Sequence, residues 1–126
     1  MPERALTGYT FVFATLAFTV AGQILLKWRA TEVGKALPSP GRGAYILGMF
    51  SDFYVWCGLG MAVVASVCWM LAVQKLPVSV AYPFMALSFL FVPLLATLLL
   101  AETLSLGQGL GMLLIVTGIA LTNLAK

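Results

Sequence analysis

The sequence predicts an all-α membrane protein of four transmembrane helices, and three observations carry that prediction. First, the chain is 62% hydrophobic and 9% charged, with a mean hydropathy of +1.05 over 126 residues. A soluble domain of that size has too little interior to hide so much apolar surface. Second, the apolar residues fall into four stretches, about 7–28, 54–74, 77–101 and 105–125, each near the ~20 residues that carry a helix across a bilayer. Third, the charges keep to the joints. Between Phe53 and Ala101 the only Lys, Arg, Asp or Glu is Lys75, and between Thr103 and Ala125 there is none. One domain, residues 1–126, accommodates all four spans.

The first span, 7–28, is longer than the apolar core of a secretory signal and is followed by no small-residue cleavage site, so it reads as a retained helix. It carries Thr15, Thr19, Gln23 and Lys27 at a spacing of four, a single polar stripe along one face. The threonines can bond back to carbonyls one turn earlier, and Lys27 can snorkel to the interface. Gln23 is different: a primary amide cannot satisfy all its donors and acceptors on its own helix, and in hydrocarbon each unmet group is costly. The stripe should therefore face another helix or a wet cavity.

Residues 29–52 read as a long loop, broken by "PSPGRG" at 38–43. Within it "AYILGMF" (44–50) is too short to span and is expected either in the interface or as a downward extension of the second helix. The second span, 54–74, holds both cysteines, Cys57 and Cys68, eleven residues apart. On a helix that is ~16 Å of rise, beyond disulfide reach. With no histidine in the chain, no metal site can be assembled and no cofactor is implied.

Lys75-Leu76-Pro77 makes a tight turn, with Pro77 suited to the first helical position. The third span follows, loosened by Pro83 and Pro93, with Ser79 and Tyr82 on one face. Tyr82 reads either as a cavity residue beside a kink or as a member of an interfacial belt. Thr103 or Ser105 is expected to cap the fourth helix. There Gly107 and Gly111 form a GxxxG pair with Gly118 on nearly the same face, the best candidate for a dimer seam.

An even number of spans puts both termini on one side. That side carries Arg4, Lys75 and Lys126, and the other Lys27, Arg29, Lys35 and Arg42. So even a balance gives the positive-inside rule little to act on, which suits a protein that pairs with an oppositely oriented copy or paralogue. Four helices are also few for a transport path, since such paths often run between inverted repeats. The net charge of +3 sits at span ends, so the expected partners are anionic lipid headgroups or phosphates, with no nucleic acid. No Asp or Glu lies inside a span, and Glu102 stands at a helix end. A proton-coupled exporter of cations would need a membrane carboxylate. Cations at the rims suit an anion.

Three segments carry a family likeness: "VAGQILLK" (20–27), "LAVQKLPVSVAYPFMALSFLFVPLLA" (71–96) and "AETLSLGQGLGMLLIVTGIAL" (101–121). They resemble the small four-helix branch of the drug/metabolite transporter superfamily. Small multidrug resistance exporters share "AY" (81–82) and the style of "GMLLIVTGI", but they carry a first-helix glutamate where this chain has Thr19 and a third-helix tryptophan where it has Met85. The pattern "VAGQ…K" with "Q-x-x-P-V-x-x-A-Y-P" (74–83) is more similar to the aminoarabinose-phosphoundecaprenol flippase subunits. That resemblance implies a small multidrug resistance-like bundle in the bacterial inner membrane, paired as a homodimer or heterodimer, without enzymatic chemistry. It implies that a polyprenyl phosphate bearing one monosaccharide is moved across the membrane.

On this reading Lys27 and Arg29 take the phosphate at one surface and Lys75 takes it at the other, or in the partner. Gln23, Gln74 and Tyr82 offer hydrogen bonds to the sugar. The longer first loop leaves the sugar open. Two alternatives stand beside it: an exporter of small organic cations, and an accessory subunit that transports nothing itself.

Overall fold

The structure, a computed structural model, describes residues 2–36 and 41–124. The expectations placed on Lys126, on the side chain of Arg4 and on much of the "PSPGRG" break lie outside the described residues. The elements are α1 (Pro2–Ala36), α2 (Arg42–Phe50), α3 (Phe53–Lys75), α4 (Val78–Met85), α5 (Ser88–Leu99) and α6 (Leu106–Leu124). All regular structure among the described residues is helical. Among the described residues, four segments are long and apolar enough to cross a membrane: Ala5–Ala36, Phe53–Lys75, Val78–Leu99 and Leu106–Leu124. The protein is a multi-pass membrane protein.

The expected loop from residue 29 is corrected at both ends. The helical bonding of α1 continues to Ala36, helped by a Glu32–Lys35 pair one turn apart at 3.9 Å. A 32-residue span is ~48 Å long against ~30 Å of hydrocarbon, so the last turns of α1 project beyond the apolar layer. Residues 42–50 then form α2, a helix of its own lying against α1 and α3. Their approach is close: a Cβ on Gly48 would come within 3.0 Å of Val33 Cγ1.

Helix α3 starts where Asp52 caps it, the carboxylate accepting from the Tyr54 amide at 2.8 Å. It packs along α1, and this pair forms the spine of the fold. Val12, Ala72, Leu76 and Ala81 are its buried centre, flanked by Tyr9, Trp69 and Phe84. Nearer the other end the two backbones touch. A Cβ on Gly22 would lie 3.2 Å from the Gly58 carbonyl, and one on Gly58 would lie 3.0 Å from the Leu26 side chain. Only residues without a side chain permit that approach.

The third span is broken. Around Ala86 and Leu87 the bonding tightens to an i to i+3 pattern, with Leu87 N donating to Phe84 O and Phe89 N to Ala86 O. This break follows Pro83, which has no amide hydrogen to give. Pro77 sits one residue earlier than the sequence suggested, as the N-cap of α4 with ψ 145°. At the head of α6, Ser105 rather than Thr103 is the cap. Its Oγ accepts from the Gln108 amide at 3.2 Å and Gln108 Oε1 accepts from the Ser105 amide at 2.8 Å, a reciprocal capping box. α6 itself packs mainly on α4 and α5, and Met112 is its only buried residue.

Candidate functional site

Among the described residues, three cavities along α1 stand out. The largest, about 600 Å³, is bounded by α1, α3 and the broken third span. Its walls are mostly apolar, with polar groups from Thr15, Thr19, Gln23, Ser66, Tyr82 and Ser88. The break at Ala86 and its neighbours Met85 and Phe89 face this space. Irregular backbone at membrane depth is tolerated where it lines a cavity, and this is such a place. Tyr82 is exposed and stands edge-on to Trp69, ring centres 5.6 Å apart. Thr15 is buried, and its hydroxyl donates to the Phe11 carbonyl at 2.7 Å, the back-bond expected of it. Thr19 and Met85, where the likeness to the drug exporters lapses, both line this cavity.

The second cavity, about 350 Å³, lies toward the rim where α1 leaves the membrane and α5 turns into α6. It is lined by Gln23, Lys27, Glu102, Thr103 and Gln108 together with apolar residues of α1 and α5. Gln23 borders both cavities, so its amide stands between the membrane-depth space and the charged rim. Lys27 Nζ is 3.5 Å from Glu102 Oε1, and both side chains remain open, 56% and 44% exposed. The third cavity, about 540 Å³, is lined wholly by apolar residues of α1, α3 and the end of α5, and meets the second at Ile24.

The other expected residues are placed elsewhere. Arg29 borders none of the three cavities. Its Nε and Nη2 both donate to Asp52 Oδ2, at 2.8 and 2.6 Å, and its guanidinium stacks on Trp28 and Tyr54 at 4.6 and 5.3 Å from the ring centres. The side chains of this pair are only 21% and 11% exposed. The Arg29 hydrogen bonds hold the Asp52 carboxyl below its ordinary value; partial desolvation opposes them, and the Tyr54 amide adds to them. Arg29 is thereby committed to joining α1 to the head of α3. Lys75 lies at the opposite end of the bundle, its Cβ 3.3 Å from where a Cβ on Gly8 would sit, and neither it nor Gln74 lines these cavities. Around Gly109, Gly111 and Gly118 of α6 there is open space, and Gly107 has only Ser105 Oγ nearby, at 3.9 Å.

Two carboxylates, Asp52 and Glu102, were not among the expected site residues. Asp52 carries a signal, an acidic residue directly before an apolar run. Glu102 could have been found from the topology, because antiparallel packing puts the end of the third span on the same rim as Lys27.

Comparison with known proteins agrees with this architecture. The pattern of the EamA-like transporter family matches residues 1–124. A probable 4-amino-4-deoxy-L-arabinose-phosphoundecaprenol flippase subunit ArnE from Erwinia tasmaniensis is 39% identical over 104 residues, covering 82% of this chain and 85% of the relative. The ArnE counterpart of Salmonella paratyphi B is 32% identical over 94% of this chain and 97% of its own length. A probable subunit ArnF of the same flippase, from Aeromonas hydrophila, is 30% identical over 98% of this chain and 84% of its own length. No solved structure matches significantly.

Proposed function

The chain belongs to the EamA-like transporter family, and from that premise we propose that it is a subunit of a flippase. Its cargo is a polyprenyl-phosphate-linked monosaccharide of the aminoarabinose-phosphoundecaprenol type, moved across the bacterial inner membrane. The observation that carries this reading is the placement of Lys27, among the described residues the one cation lining any of the three cavities, beside the amide of Gln23.

A phosphodiester carries a charge that hydrocarbon does not solvate. Lys27 binds it by charge-assisted hydrogen bonds at the rim. Gln23 accepts and donates to the sugar as the headgroup passes toward the larger cavity, where the hydroxyls of Tyr82, Thr19 and Ser88 continue the polar track. The prenyl tail stays in an apolar setting, and the cavity that meets the Lys27 site at Ile24 supplies one. Lys75, with Gln74 beside it, is the receiving cation at the far rim. Arg29 holds the rim in shape through Asp52. No covalent bond is made or broken, so the protein is a transporter and not an enzyme.

The working unit is a dimer, with itself or with a paralogue, because relatives named as two different subunits of one flippase resemble this chain over most of its length. The open glycine face of α6, at Gly107, Gly111 and Gly118, is its seam. In proteoliposomes carrying the full chain, alone and with a paralogous subunit, headgroup translocation should be measurable and should fall about tenfold or more in Lys27→Ala. Undiminished translocation in that variant refutes the site.

A further inference from the structure

We infer that Glu102 reads the amino group of the cargo, so that Lys27 and Glu102 together form a dipolar cradle for a zwitterionic sugar phosphate. This rests on the flippase reading above and adds to it the residue that selects an amino sugar over a neutral one.

Among the described residues, Glu102 is the only carboxylate lining the three cavities. Its backbone is fixed by the end of α5. Ala101 adopts a left-handed conformation, φ 56°, and the Glu102 amide reaches back six residues to the Ala96 carbonyl at 3.3 Å. A left-handed residue just past a helix end is a turn usually made by glycine. The turn aims the Glu102 side chain at Lys27 across the cavity mouth. The resulting pair is long and open, at 3.5 Å with about half of each side chain exposed. Pairs of that kind contribute ~0–1 kcal/mol, so an arriving headgroup can part them.

What enters must satisfy both halves. A neutral sugar phosphate would take Lys27 and leave Glu102 facing the phosphate at close range, two negative charges side by side. A headgroup with an ammonium on the sugar closes the circuit, phosphate to Lys27 and ammonium to Glu102. At about 350 Å³ the space is at the small end of ligand cavities, suited to one sugar ring and not to an oligosaccharide.

The test is a binding titration of the purified full chain in neutral-lipid nanodiscs. The probes are a short prenyl phosphate bearing an aminopentose, the same lipid bearing a pentose, and the N-acetylated aminopentose lipid. Wild type should prefer the amino cargo about tenfold, and acetylation should abolish that preference without any mutation. Glu102→Gln should bring the two unacetylated cargoes to within about twofold of each other, Glu102→Asp should retain the preference, and Lys27→Gln should weaken both cargoes alike. A preference that survives in Glu102→Gln, or that acetylation leaves intact in wild type, overturns the inference and leaves the flippase reading standing. Wild type that binds neither lipid overturns both.

Discussion

Two cations stand two residues apart on α1, and they are held in opposite ways. Arg29 is clamped to Asp52 at 2.6 Å, stacked on two aromatic rings and mostly covered. Lys27 reaches Glu102 at 3.5 Å across an open cavity. Two residues on a helix turn about 200° around its axis, so one side chain points at the α2–α3 junction and the other at the α5–α6 turn. The planar guanidinium suits a fixed, bidentate, ring-stacked joint, and the ammonium on its flexible stem suits a charge that must change partners. Charge at a membrane rim is therefore no guide to cargo. What distinguishes the two residues is whether the partner leaves room for another ligand.

The contrast breaks if the two residues exchange phenotypes. Lys27→Ala should lower affinity for the lipid-linked sugar about tenfold to a hundredfold and leave the unfolding temperature in detergent nearly unchanged. Arg29→Ala should do the reverse, with a clear fall in unfolding temperature and cargo affinity within about twofold of wild type. Calorimetry alongside lipid titration on the same two variants decides it.

A smaller effect is expected where α1 and α3 touch beside the cavity. Gly58→Val must push Leu26 aside, since even a Cβ would sit 3.0 Å from it. Overpacking of this kind costs ~1–3 kcal/mol, to be read as a loss of thermal stability. Gly111→Val on α6 meets open space within the protomer, so it should leave protomer stability near wild type and weaken dimerisation, seen by analytical ultracentrifugation. If Gly111→Val leaves the dimer intact, the seam lies elsewhere.

The Arg29–Asp52 joint also has a pH signature. The Asp52 carboxyl titrates lower in the folded protein than its ordinary 3.8. The stabilisation is thus complete above that ordinary value and is lost as pH falls through the lower folded-state value. The gap in unfolding temperature between wild type and Asp52→Asn should hold from neutral pH down to mild acid and narrow below 3.8. Smallest of all, Ala101→Gly relieves a left-handed alanine and should stabilise by up to ~1 kcal/mol with no change in cargo affinity.

Much of this was legible in the sequence, and the rest was not for identifiable reasons. The spans showed because hydrocarbon demands apolar runs of one length, and Gln23 showed because an amide within an apolar run cannot meet all its hydrogen bonds on its own helix. Lys27 and Tyr82 stand out in the sequence for comparable reasons, and both line cavities. The extension of α1 to Ala36 was hidden because "RATEVGKA" is polar and only its continuity with α1 makes it helical. Arg29 could not be separated from Lys27 because its partner, Asp52, lies 23 residues away, across a stretch whose path no local pattern reveals. Glycines on α6 attracted notice through their spacing, whereas Gly22 and Gly58, which do touch, are 36 residues apart and belong to no motif.

On the proposed function Lys27, alone among the lysines at this rim, holds the phosphate. Solid-state NMR can measure it directly, by dephasing of the cargo phosphorus from lysine ζ-nitrogen labels in the lipid-bound full chain. The expected outcome is a phosphorus–nitrogen contact at hydrogen-bonding range that disappears in Lys27→Gln and persists in Lys35→Gln. A contact that persists in Lys27→Gln would contradict it.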